Sequence, residues 1–258
     1  MTGDGAGIAG LKQATTRLPT AGPAAGVFRV PAVIGQELAR TLSDRIIYLD
    51  LQPGAHLAED EVCSEYQVSR SPVREAFRAL EADGLVVRSV RRGVHVSPIS
   101  RRDLREVYAC RVMLEGLAAG EAAANATPDN LVRMGALVDK MTQALARRRS
   151  RAFFDSNVAF TQAIHQASAN ATLIRIAAGV EKQALRYRYL AHAHTMEMHE
   201  IAFQGHSTVF TAIAARDVAR AEQAGRESIR RAHAVIQKVV EAQFPAGPGE
   251  PQPWDTPI

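Results

Sequence analysis

The run VSRSPVREAFRALEADGLVVRSVRRGVHV, residues 68–96, constrains this chain more than any other, because its apolar spacing passes from a helical repeat to a strand repeat within one short segment. Ser71 is a good N-cap residue, Pro72 fits a first turn that has no use for its missing amide, and Glu75 suits the positive end of a helix. Val73, Phe77 and Leu80 recur on one face with Ala76 beside them, while Arg70, Arg74 and Arg78 fall at intervals of four on another. Asp83-Gly84 marks the stop, and Leu85, Val86 and Val87 form a β-prone run. Arg91, Arg92 and Gly93 make a tight basic turn, after which Val94, His95 and Val96 return as a second strand. The segment therefore reads as an amphipathic helix followed by a hairpin with a cationic tip.

Arginines at i and i+4 also suit an ordinary solvated face, so the upstream order decides between the two readings. Ile34, Leu38, Leu42, Ile46, Ile47 and Leu49 form a helical stripe that ends at the Pro53-Gly54 turn. A short helix from about Glu59 to Tyr66 and a Gln67-Val68-Ser69 turn then lead into the arginine helix. Helix, turn, helix and hairpin in this order predict a winged helix-turn-helix, which lays its second short helix in the major groove of DNA. An arginine early in that helix can bond guanine O6 and N7 together, and a basic wing tip suits phosphates or a narrow minor groove.

The 258 residues exceed what one such domain needs, and from Ser100 to Gln243 strand signals almost vanish. Six amphipathic segments are expected, at about 100–124, 127–147, 151–168, 171–193, 196–214 and 216–243, giving an all-α antiparallel bundle. Thr127-Pro128 and Ser150 read as helix starts and Asn170 as a stop. The expected organisation is a mobile, Gly- and Pro-rich tail (1–30), a DNA-binding domain (31–97), a helical domain (98–243) and a second mobile tail (244–258). The fold class is α with a small β-wing. Net charge is +4, only weak support for a polyanionic partner because 31–100 is itself rich in acids. The two cysteines, Cys63 and Cys110, offer neither a disulfide framework nor zinc spacing, so a cytoplasmic chain is expected. No stretch reads as a membrane span or signal peptide. Five histidines lie between 165 and 206, but no Glu-x-x-His spacing accompanies them, which argues against a metal-dependent helical enzyme.

The run from LQPGAHL through RRGVHV resembles the N-terminal domain of the GntR superfamily of bacterial transcription regulators, without a gap over about 33–97. The resemblance implies DNA contacts from Arg70, Ser71, Arg74, Arg92 and Gly93. Asp60 departs from it, standing where some relatives carry a DNA-contacting arginine. RVMLEGLAAGEAA, NVAFTQAIHQASAN and HSTVFTAIAARDVARAE resemble the effector-binding FCD domain of the FadR branch, and six helices would suggest its VanR-like subgroup. The resemblance implies a homodimer on a palindromic double-stranded operator, mostly a repressor released by a small molecule.

Many FCD domains hold a divalent metal on an Asp, a His four residues later, and one His from each of the last two helices. Here those positions fall on Asn157, Thr161, His206 and Ser228, so the metal site reads as degraded and no metal cofactor is expected. A displaced site using His165 or His199 remains an alternative, and the expectation for His192, His194 and His199 is surface or loop. Arg111 stands where relatives use an arginine near the ligand, and its fork favours a carboxylate, although pairing with Glu115 or Glu106 competes with that role. Arg111, Asn157, Thr161, His206 and Ser228 are thus the expected effector contacts, for an organic acid or polar metabolite. The run Arg147, Arg148, Arg149 and Arg151 reads as a solvated corner. A regulator whose helical part only dimerises is the other alternative.

Overall fold

The computed structural model describes residues 31–89 and 92–245. Both expected tails lie outside it apart from residues 244 and 245, as does Arg91 of the wing tip. The N-terminal part contains α1 (Pro31–Ile47), β1 (His56–Leu57), α2 (Glu59–Tyr66), α3 (Arg70–Ala82), β2 (Val86–Ser89) and β3 (Gly93–Val96). Its core is formed where Leu38, Leu42 and Ile46 of α1 meet Val73, Phe77 and Leu80 of α3, all at most 5% exposed. Two differences from the sequence reading appear. The wing is a three-stranded antiparallel sheet of order β1-β3-β2, in which His56 pairs with His95 and Val86 with Val96. β1 has only two residues, too few for an alternating pattern to announce it. Helix α3 starts one residue before Ser71: Ser69 is the extended N-cap, with no side-chain cap, and Ser71 and Pro72 lie in the first turn.

The C-terminal part is a bundle of α4 (Arg101–Asn125), α5 (Pro128–Ala146), α6 (Ser150–Ala167), α7 (Ala171–His194), α8 (Met196–Ala214) and α9 (Val218–Gln243). The starts are chemical. Thr127 and Asn130 close a capping box ahead of α5, and Asp217 caps α9 through the Arg220 amide. Asn170, expected as a stop, instead caps α7 by accepting from the Leu173 amide. The tightest seam joins α4 to α9, where a Cβ on Gly225 would come within 2.8 Å of the Glu115 carbonyl. Close backbones are possible there because small residues (Gly116, Ala119, Ala221, Gly225) line the contact.

Candidate DNA interface and effector cavity

Helix α3 buries Pro72, Val73, Ala76 and Phe77 and leaves Arg70, Ser71, Arg74 and Arg78 exposed, as its two-faced sequence requires. The guanidiniums of the first turn are already oriented by carboxylates of α2. Arg70 pairs with Asp60 at 2.9 Å, and Arg74 donates from Nε to Glu59 at 2.9 Å. Sequence reasoning found Asp60 as a departure but missed this pairing, because α2 and α3 lie close only once the turn at Gln67 adopts its left-handed φ of 52°. Exposed pairs of this kind add little stability. Their effect is to hold each fork in one orientation. Arg92 is exposed at the wing, and Gly93 takes a φ of 79° beside His56, a conformation that glycine adopts without strain.

The five effector residues expected from the sequence line a single cavity of about 20 Å³, together with Tyr108, Arg188 and apolar side chains of α8 and α9. A second cavity of about 20 Å³ adjoins it through Thr161, His206, Ser228 and Ile229. Each has room for roughly one water. Asn157 is the hub. Its Oδ1 accepts from Arg188 Nη2 at 2.7 Å and lies 2.8 Å from His206 Nε2, and its Nδ2 lies 3.0 Å from His192 Nε2. Since an arginine can only donate, the amide oxygen must face Arg188. His206 therefore carries its proton on Nε2 and donates, while His192 accepts at Nε2. Thr161 donates to the Asn157 carbonyl at 3.3 Å.

A second layer balances charge. Arg111 pairs with Glu115 at 3.0 Å, as the competing reading of Arg111 had it, yet still faces the cavity. The other oxygen of Glu115 lies 2.9 Å from His165 Nε2, and Arg188 pairs with Glu181 at 3.2 Å. Burial alone would raise the Glu115 carboxyl, but the hydrogen bond and charge of His165, then the Arg111 guanidinium, hold it at about 2. Burial likewise opposes protonation of His165, and its bond to Glu115 overcomes that and raises it. Burial, then the Arg188 charge, pushes His206 down to about 3.

Glu181 and Arg188 are not placed at the site by the sequence, Glu115 enters it only as a competitor for Arg111, and His165 only as a ligand of a displaced metal site. The only local signal was the i to i+4 spacing of Arg111 and Glu115 and the two-turn spacing of Glu181 and Arg188. His192 and His199, expected at the surface or in loops, are only 1% and 2% exposed. They are buried because α8 begins one residue after the α7 cap, which turns both rings onto Phe153. His194 is exposed, as expected. Arg151 is exposed at its corner, as expected, and its guanidinium stacks 3.9 Å from the ring centroid of Tyr48, just past α1.

The residues do not fit the metal that FCD domains commonly hold. Two of the four donor atoms, Asn157 Oδ1 and His206 Nε2, bond each other, and Thr161 and Ser228 are neutral hydroxyls. No group of three His, Cys, Asp or Glu side chains among the described residues could hold an ion. No helix among them is long and apolar enough to cross a membrane.

Comparison with known proteins agrees with both halves. Residues 34–96 match the model of bacterial regulatory proteins of the gntR family, and 106–231 match the FCD domain. The chain is 27% identical over 210 residues to the transcriptional repressor RspR of Escherichia coli, covering 80% of this chain and 90% of that one. It is 31% identical over 173 residues to a probable D-xylose utilization operon repressor of Paenarthrobacter nicotinovorans, covering 66% of this chain and 74% of that one. Among solved structures, E. coli McbR/YncC superposes with a TM-score of 0.71 at 21% identity, over 80% of this chain and 97% of that one. A putative GntR regulator from Rhodococcus sp. RHA1 gives 0.65 at 25% identity, over 79% and 97%. With the arginine-faced helix and wing at one end and the FCD bundle at the other, this chain belongs to the GntR family of bacterial transcription regulators and is not an enzyme.

Proposed function

We propose that the protein is a homodimeric repressor that binds a palindromic operator through α3 and the wing and releases it when a small organic acid enters the cavity between α4 and α6–α9. The observation that carries the sensing role is that two buried guanidinium groups, Arg111 and Arg188, line one cavity. Arg111 Nε and the Tyr108 hydroxyl, both at the cavity, are buried with no partner among the described residues beyond the contact of these two side chains with each other. A ligand carboxylate could accept from both, each such bond being worth about 1.5–3 kcal/mol. Two relatives named as repressors support the sign of regulation. The dimer follows from recognition, since one small winged domain reads few base pairs and a two-fold pair doubles the contacts.

Because both cavities are too small for a metabolite, binding must select a state in which the seam around Ser228 and His206 is wider. The test is selection of bound DNA from a random pool, followed by release measurements against a panel of carboxylates in EDTA. The expected result is a palindromic site bound by two chains, loss of preference over random DNA in Arg74→Ala, and release by at least one carboxylate. A bound site that no member of a broad panel releases would sink the sensing role, leaving a helical domain that only dimerises.

A further inference from the structure

Metals bind where several lone pairs converge with no competing cation. In this cavity the convergence is present and a cation already fills it. Asn157 Oδ1 has two lone pairs, and Arg188 Nη2 at 2.7 Å and His206 Nε2 at 2.8 Å use both. The same arrangement removes His206 as a ligand, because the nitrogen aimed at the hub carries the proton. Arg188 is 3% exposed, and its charge is fixed from the far side by Glu181 at 3.2 Å. Neighbouring carboxylates are also committed, Glu115 to Arg111 and His165, and Glu181 to Arg188 itself. A dication would have to approach a buried guanidinium with no unpaired anion to compensate, and such like-charge contact is costly at low dielectric.

We propose that Arg188 is the built-in cation of this cavity, standing in for a divalent metal, so that an anionic ligand docks directly on guanidinium groups and metal ions are excluded. The anion-docking half rests on the functional reading above; the exclusion half does not. Arg188 is a positioning and ligand-binding residue that no motif on the chain announces. It lies on α7, a helix that supplies none of the four positions where the metal ligands would fall. The cavity thus combines two features that disfavour an ion, neutral side chains at Thr161 and Ser228 on α6 and α9 and a paired arginine on α7. A simple loss of ligands would have left Asn157 Oδ1 and His206 Nε2 facing an empty, water-sized space.

The experiment is titration of the full-length protein, purified with chelator and dialysed, with cobalt(II) read by its visible absorption and by equilibrium dialysis. Wild type is expected to bind none stoichiometrically. Restoring ligands with Asn157→Asp, Thr161→His and Ser228→His is expected to leave binding weak. Adding Arg188→Gln to those three, which also frees Glu181, should tighten it by at least about tenfold. Circular dichroism checks folding. If the triple variant does not fold, Asn157→Asp alone against Asn157→Asp with Arg188→Gln makes the same comparison, with cobalt bound only by the pair. Stoichiometric cobalt in wild type, or equal affinity with and without Arg188, overturns the proposal. The two readings fail separately. A metal-binding wild type that still releases operator to carboxylates in EDTA sinks only the role of Arg188, and a metal-free protein indifferent to carboxylates sinks the sensing role and the anion-docking half with it, while metal exclusion by Arg188 stands.

Discussion

Asn157 shows how much one residue can settle and how little of that is visible along the chain. Its position in the motif NVAFTQAIHQASAN places it at the site, but the identity of its partners depends on three helices, α6, α7 and α8, meeting. Local spacing exposes pairs such as Arg111 with Glu115 and Glu181 with Arg188; it is silent on the meeting of Arg188 and His192 with Asn157, which is fixed only when α7 docks on α6. That docking leaves His206 buried and neutral, with a testable cost in acid. Its pKa in the folded state is about 3 against 6.5 for the free side chain, so the unfolded chain takes a proton below pH 6.5 that the folded one refuses. Stability from this group is complete above pH 6.5 and is lost as pH falls toward 3. Glu115, held at about 2 against 4.5, adds a loss only below about pH 4.5. His165 has the opposite sense. Its raised pKa gives stability that is present below pH 6.5 and lost as pH rises through the folded value, so it contributes no slope between 6.5 and 5. In that window a buried neutral histidine costs about 2 kcal/mol, at about 1.4 kcal/mol per unit. Urea unfolding at pH 7 and pH 5 should therefore show a clear fall for wild type and a smaller one for His206→Gln, which keeps a donor toward Asn157 but cannot titrate. Equal falls in the two proteins would show that His206 is not held neutral.

Helices were the most legible elements, because their stripes are long and their caps chemical. The six expected segments coincide with α4–α9 to within two residues at every end. The misreadings came from short-range chemistry with two uses: Asn170 suits a helix end as well as a cap, and Ser69 and Ser71 compete to precede α3. Which helix packs on which was not legible, since α4 rests most closely on α9, at the far end of the domain's sequence, and only glycine placement hints at it. The glycines make that packing testable. At Gly225 a Cβ would meet the Glu115 carbonyl at 2.8 Å, a backbone atom with nowhere to go, so α9 must lift from α4. Gly225→Ala should cost about 1–3 kcal/mol by overpacking despite the better helix propensity of alanine. At Gly179, within α7, a Cβ meets nothing within 4 Å, and Gly179→Ala should stabilise by roughly 0.5–1 kcal/mol. Thermal or urea unfolding of the two variants checks this. Shifts of the same sign would mean that α4 and α9 are not packed backbone to backbone.

For the molecule as a switch, what matters is how the cavity is mechanically joined to the DNA-binding half, and α7 does this with three consecutive residues. Arg188 points into the cavity, while Arg186 and Tyr187 hold the linker that leaves the wing. Arg186, 2% exposed, donates to the Ser97 carbonyl at 2.5 Å and lies 3.6 Å from Asp103. The Tyr187 hydroxyl donates to the Ser100 carbonyl at 3.2 Å and accepts from its amide at 3.2 Å. Ser97 is in turn tied to the wing base through Leu85 and Gly84. Peripheral contacts add to this, with Lys182 on Asp83 at 2.8 Å and Tyr48 on Asp155 at 2.6 Å, but these are exposed and weak. The buried Arg186 contact is the hydrogen bond at the centre of the junction, beside the rings of Tyr48, Phe154 and Tyr189 that pack across it. Arg186→Met keeps the bulk of the side chain and leaves the Ser97 carbonyl without that donor, a loss of about 1–3 kcal/mol confined to the junction. The wild type should melt in one calorimetric transition. The variant should melt in two, the smaller belonging to the DNA-binding half, and trypsin should cut faster at Arg101 and Arg102, which begin α4 beside the loosened linker. Operator binding should survive in the variant, because the α3 face and wing are untouched, while release by a carboxylate should weaken. A single transition with unchanged tryptic resistance would mean that the halves are joined elsewhere, and the Tyr48–Asp155 contact would become the next candidate.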